Sequence, residues 1–74
     1  MQIITSIAKN EILWVSYRDN KNKVRFYITS SKDRTTYILY EVDNNNKSVR
    51  VGRASSPIEL ETKYCIWNKI TNHS

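Results

Sequence analysis

Few side chains in this sequence are of the types that carry out catalysis. The single histidine, His73, lies beside the C-terminus, where chains fray, and is a poor general base. The single cysteine, Cys65, has no internal histidine partner to activate its thiol, and one Cys with one His cannot form a zinc site. Some small ribonucleases work with Arg, Lys and Tyr alone, but the spacing of Arg25, Tyr27 and Arg50 does not require such chemistry. We therefore expect a binding protein without enzymatic activity, cofactor or metal.

Basic charge is the strongest binding signal. The net charge is +5, and residues 1–54 hold ten Lys or Arg against five Asp or Glu, while residues 55–74 are neutral. A basic surface attracts polyanions, above all nucleic acid, although it can equally be a solvated surface without a ligand.

Length and composition set further bounds. A chain of 74 residues makes a single small domain, and one of this size buries roughly 60% of its unfolded surface, so a partner subunit would stabilise it. No apolar run approaches the roughly 20 residues of a membrane helix, and the N-terminus does not resemble a signal peptide. We expect a cytoplasmic protein. Its abundant Asn, Lys, Ile and Tyr suit an AT-rich genome such as that of a low-GC bacterium or its phages.

Four segments are rich in β-branched and aromatic residues and are separated by polar turns. They span residues 11–18, 23–30, 34–42 and 47–53, with turns at "DNKN", "SKDR" and "DNNNK". This pattern predicts an antiparallel β-meander over 11–54. An extra N-terminal strand within 1–10 is possible.

The hydrophobic pattern also predicts a register. Tyr17 should face Val24, Phe26 should face Tyr40, and Val42 should face Val49, because these pairings make one sheet face apolar across all four strands. Glu41 then lies between two arginines on the other face. The predicted core comprises Leu13, Val15, Tyr17, Val24, Phe26, Ile28, Ile38, Tyr40, Val42, Val49, Val51, Leu60, Tyr64 and Trp67.

A C-terminal helix over residues 56–70 is expected to cover that core. Ser56 is a candidate N-cap, Pro57 the first helical residue and Glu59 the capping-box partner. The alternative is a fifth strand, because residues 58–66 also alternate. We favour the helix, which makes the fold class α+β: a four-stranded, possibly five-stranded, antiparallel meander with one C-terminal helix packed on one sheet face.

The second sheet face is the predicted binding surface, with aromatic rings for base stacking and cations for phosphates. Its residues are Trp14, Arg18, Lys23, Arg25, Tyr27, Tyr37, Leu39 and Arg50. The first candidate partner is single-stranded nucleic acid. The alternative is a protein partner, as for an inhibitor or adaptor module of phage or mobile-element type, or a homodimer through the same face.

Overall fold

The computed structural model describes residues 10–71 and shows an α+β fold. Its elements are β1 (Glu11–Arg18), β2 (Val24–Ser31), β3 (Tyr37–Val42), β4 (Ser48–Ala54), α1 (Pro57–Lys63) and α2 (Ile66–Thr71). The four strands form one antiparallel sheet in the order β1-β2-β3-β4, as the meander pattern predicts. The possible strand within residues 1–10 lies almost wholly outside the described residues.

The register of the β2–β3 hairpin differs by one residue from the prediction. Phe26 pairs with Glu41, and Ile28 pairs with Leu39, because the connecting loop is one residue longer than expected. The cause is a side-chain network at Ser31 and Asp33, whose oxygens accept hydrogen bonds from the backbone N–H of Thr35. Since neighbouring side chains of a strand point to opposite faces, this shift exchanges the two faces of β3 and, with them, those of Gly52 and Ala54 in β4.

Bulges change the register further. In β1, Leu13 pairs with Thr29 and Val15 with Ile28, so Trp14 is an extra residue without a partner in β2. In β4, Val51 is the extra residue between Arg50 and Gly52. In β2, Arg25 is the extra residue, because Arg18 pairs with Val24 and Tyr17 with Phe26 rather than with Val24. Val42 pairs with Ser48 rather than with Val49. The predicted row of Glu41 between Arg25 and Arg50 does not form.

The C-terminal region is two short helices instead of the single helix predicted over 56–70. The start is as predicted: Ser56 caps α1 by accepting the Glu59 N–H, and Pro57 is the first helical residue. The chain then breaks at Cys65, which has a left-handed φ of 52°. The break turns α2 so that Ile66 and Ile70 enter the core. The alternative of a fifth strand is wrong.

Both helices pack on one side of the sheet, which we call the helix face. Its core joins strand residues to helix residues: Tyr17, Phe26, Ile28, Tyr37, Leu39, Leu60, Ile66 and Ile70. The opposite face carries a second cluster of Val24, Tyr27 and Val42, with Tyr40 stacked on Tyr27 at a centroid distance of 5.0 Å.

Several core predictions are confirmed and others are wrong. Burial is confirmed for Tyr17, Val24, Phe26, Ile28, Ile38, Val42 and Leu60. Val24 and Val42 nevertheless lie in the cluster on the opposite face and not in the predicted core under the helices. Leu13, Val49 and Trp67 are instead 44%, 56% and 55% exposed. Their exposure follows from the shifted register, the bulges and the helix break.

Candidate nucleic-acid interface

Two loops of nearly identical sequence close the β1–β2 and β3–β4 hairpins. They read "DNKNK" (19–23) and "DNNNK" (43–47), and we call them the twin loops. In each, the first N–H donates to the last carbonyl at 2.9 Å, from Asp19 to Lys23 and from Asp43 to Lys47. The fourth residue is an asparagine with a left-handed φ, 65° in the first loop and 63° in the second. Asparagine suits this conformation, which completes a three-residue hairpin loop.

The aspartates of the twin loops hold their own backbones in place. Asp19 Oδ1 accepts the N–H groups of Lys21 and Lys23, both at 2.9 Å. Asp43 Oδ1 accepts the N–H groups of Asn45 and Lys47, at 2.8 and 2.9 Å. The hydrogen bond from Lys23 is the main cause of a lowered pKa at Asp19, and nearby Arg25 and Lys23 charges lower it further. Both carboxylates thus stabilise the backbone conformation of their own loops.

Cations concentrate at the end of the sheet that carries the twin loops. Successive hairpin loops of a meander alternate between the two sheet ends, so the first and third loops share one end. We call the five cations there the basic loop end: Arg18, Lys21, Lys23, Arg25 and Lys47. Residues 18–25 and 43–47 hold these five cations against two aspartates, a net charge of +3.

An open cleft of about 290 Å³ lies between the twin loops. Its lining residues are Asp19, Lys21, Lys23, Arg25 and Asn44. The Arg25 guanidinium reaches across from β2, and its Nη1 lies 3.4 Å from Asn44 Oδ1 in the second loop. Arg18 braces the first loop, because its Nη1 donates to the Asn22 carbonyl at 2.9 Å. The cleft therefore has cationic groups on one wall and an amide on the other.

The structure brings together three of the eight predicted binding residues, namely Arg18, Lys23 and Arg25. Tyr27 and Leu39 are fully buried, on opposite faces of the sheet. Tyr37 is 8% exposed and belongs to the helix-face core. The expectation that these rings form one open face is wrong, because the shifted register of β3 places Tyr37 and Leu39 beneath the helices.

Trp14 and Arg50 are exposed but lie apart from the basic loop end. Arg50 is on β4 and pairs with Tyr40. Trp14 is 44% exposed on β1, with its ring edge-on to Tyr37 at 5.4 Å and the Arg34 guanidinium 5.8 Å from its centroid. We call Ile12, Trp14 and Arg34 the Trp14 patch, because Ile12 lies in the same cross-strand row as Tyr37, the residue that Trp14 contacts. Ile12 and Trp14 are 39% and 44% exposed.

Sequence reasoning missed Lys21, Asn44 and Lys47 as candidate binding residues. A signal was present, since the two Asp-Asn-X-Asn-Lys segments recur at the ends of alternate hairpins. Repeated turn chemistry predicts repeated loop geometry, and the meander topology then places both loops at one sheet end.

Hydroxyl and carboxylate groups are also paired elsewhere in the sheet. The Tyr17 hydroxyl donates to Glu61 in α1, while the Tyr40 hydroxyl and the Thr29 hydroxyl both donate to Glu11 Oε1. Burial is the main cause of the raised pKa values of Tyr17 and Tyr40, and the hydrogen bonds to glutamate add to it. These pairs tie elements together, and none of their residues lines the cleft.

Within residues 10–71, no three His, Cys, Asp or Glu side chains are placed to hold a metal ion together. His73, the one histidine, lies outside the described residues. None of the described helices has the length and apolar character to cross a membrane. In comparisons with protein-family models, with curated proteins and with solved structures, no significant match to this chain is found.

Proposed function

We propose that this protein is a non-enzymatic nucleic-acid-binding module and that the basic loop end makes the contact. The observation that supports the proposal is the convergence of five cations on the twin loops and the adjoining strand ends. The two aspartates among them accept hydrogen bonds from their own loop backbones. A rigid, protruding and basic surface of this kind suits the phosphate backbone.

Phosphate contacts carry affinity without reading sequence. Lysine and arginine neutralise phosphates and release condensed counterions, which makes binding weaken steeply with salt. A few such contacts give non-specific dissociation constants of about 10⁻⁴ to 10⁻⁶ M at physiological salt. We therefore expect weak, sequence-tolerant binding that tightens strongly at low ionic strength.

The proposed binding does not depend on stacking of bases on aromatic side chains. Of the three aromatic residues predicted for the binding surface, Tyr27 and Tyr37 are withdrawn from solvent. Trp14 is exposed but lies four residues along β1 from Arg18, a distance of about 13 Å at the usual strand rise. The cations of the twin loops, rather than a row of rings, make up the proposed surface.

The test is fluorescence anisotropy of a labelled single-stranded oligonucleotide and of a labelled duplex at low salt. The wild type is compared with a loop-end variant, Lys21→Ala with Lys23→Ala. The matched control, Lys32→Ala with Arg53→Ala, also removes two charges but from exposed residues outside the basic loop end. All three proteins should give the same circular dichroism spectrum.

We expect the loop-end variant to lose at least tenfold in affinity and the control to stay within about threefold of the wild type, since nearby charges dominate phosphate binding. Equal losses in both variants would show that net charge, and not the basic loop end, drives the binding. No binding of either oligonucleotide by the wild type at low salt would contradict the proposal.

A second candidate function is self-association through the Trp14 patch. Ile12 and Trp14 are 39% and 44% exposed at the β1 edge, and Trp with Arg is the composition that interface hot spots favour. A second copy of the chain would also bury apolar surface that a small domain leaves in water. Sedimentation equilibrium should then show a dimer that Trp14→Ser dissociates. A wild type that stays monomeric at high concentration would rule this out.

A further inference from the structure

We infer that the cleft between the twin loops is a built site for a single phosphate group. This inference rests on the proposed function, in which the group is a backbone phosphodiester of nucleic acid. It goes further by placing one phosphate group in the cleft and by making Arg25 the residue on which its binding depends most.

The cleft offers convergent donors from three parts of the chain. Lys21 and Lys23 come from the first twin loop, Arg25 from β2 and Asn44 from the second twin loop. A guanidinium has five N–H donors in a fixed fork, and a long contact, at 3.4 Å, links that of Arg25 to Asn44. The fork matches two oxygens of one phosphate, which a lysine ammonium cannot do.

The Asp19 carboxylate also lines the cleft, where its negative charge would repel an anion. Its Oδ1 accepts two N–H groups of its own loop, at 2.9 Å each, so it serves as part of the loop frame. Three cations and one carboxylate leave the lining with a net charge of +2. The volume of about 290 Å³ is ample for a phosphate group with part of the attached sugars or water.

Charge-conserving substitutions separate a built site from a diffuse basic surface. Arg25→Lys and Asn44→Ala both keep the net charge of the protein, and Arg53→Lys makes the same exchange away from the cleft. We expect Arg25→Lys to weaken binding of a single-stranded oligonucleotide by about tenfold, which is the worth of one charge-assisted hydrogen bond. Asn44→Ala should weaken it less, and Arg53→Lys should leave it unchanged.

A second arm uses inorganic phosphate as the probe, at constant ionic strength, with amide chemical shifts recorded by ¹⁵N NMR. Shifts should concentrate at residues 19–25 and 43–47 and shrink in Arg25→Lys. Shifts spread over the lysines and arginines of the whole chain, or absent from these residues, would overturn the inference.

The outcomes distinguish this inference from the proposed function. If Arg25→Lys binds the oligonucleotide like the wild type while the loop-end variant is weakened, the proposed function stands and the built site is refuted. If inorganic phosphate shifts the amide signals of the cleft residues but the wild type binds no oligonucleotide, the cleft is a site for free phosphate. The proposed binding of nucleic acid is then refuted.

Discussion

Replacing Gly52 with alanine tests the packing of α1 on the sheet most sharply. Gly52 pairs with Leu39 in the centre of β4, on the helix face. A Cβ atom added there would stand 2.7 Å from Tyr64 Cζ and 3.1 Å from Cε2, with the Tyr64 hydroxyl closer still. Carbon atoms pack at about 3.5–4.0 Å, so the ring must move. Gly52 thus lets Tyr64 and the end of α1 lie directly against the backbone of β4.

Two effects of opposite sign decide the outcome. Gly52 does not have a positive φ, so alanine fits its backbone, and the loss of unfolded-state freedom would stabilise the fold by about 0.4–1 kcal/mol. Overpacking against Tyr64 costs about 1–3 kcal/mol. We expect the overpacking to win, with a Tm lower by about 4–8 °C for each kcal/mol of net loss.

Urea unfolding of Gly52→Ala, Tyr64→Leu and the double variant measures both effects. Leucine is too short to reach the atoms that crowd Gly52, so in the Tyr64→Leu background the alanine should become neutral or stabilising. The coupling between the two positions should therefore be about 1–3 kcal/mol, the overpacking cost alone, because the unfolded-state effect is the same in both backgrounds. A single variant Gly52→Ala that unfolds at the wild-type urea concentration or above it would refute the reasoning.

Two further predictions concern the core and the loops. Phe26→Ala removes a ring that is 3% exposed in the helix-face core and should lower the free energy of unfolding by about 3–5 kcal/mol, measured by urea unfolding. Asp19 has a lowered pKa in the folded protein, so its contribution to stability is present above the unfolded value of 3.8 and is lost as pH falls through the folded value. Asp19→Asn keeps an acceptor oxygen but cannot titrate, so its Tm should fall less steeply below pH 4 than that of the wild type. An equally steep fall would show that Asp19 does not contribute to the acid sensitivity.

The strands and the start of α1 could be predicted because their signals are local. Alternating β-branched and aromatic residues bounded by polar turns give the four strands of the meander. Ser56 and Pro57 mark the start of α1 through capping and a fixed φ, both of which act within one turn of helix.

The register and the faces of the sheet could not be predicted, because they depend on extra residues that the pattern does not reveal. Trp14, Arg25 and Val51 are bulged, and the loop after Ser31 gains a residue through its side-chain hydrogen bonds. Since β2 and β3 are apolar on both faces, hydrophobicity fits either register. Leu39 therefore lies in the helix-face core and not on an open surface.

The candidate site follows the same division. Arg18, Lys23 and Arg25 are near one another in sequence, so they lie close together in either register. Lys47 and Asn44 join them through the topology, which brings two loops 24 residues apart in sequence to one sheet end. Two strand spacings, about 10 Å, separate the loops and leave the room that the cleft occupies.

The salt dependence of oligonucleotide binding tests the central proposal most directly. For a single strand, the slope of log Kobs against log salt concentration is about −0.7 for each phosphate neutralised. The loop-end variant, which lacks Lys21 and Lys23, should have a slope shallower than that of the wild type by about 1.4, while the control without Lys32 and Arg53 keeps the wild-type slope. Parallel slopes for the wild type and the loop-end variant would contradict a phosphate-binding role for the twin loops.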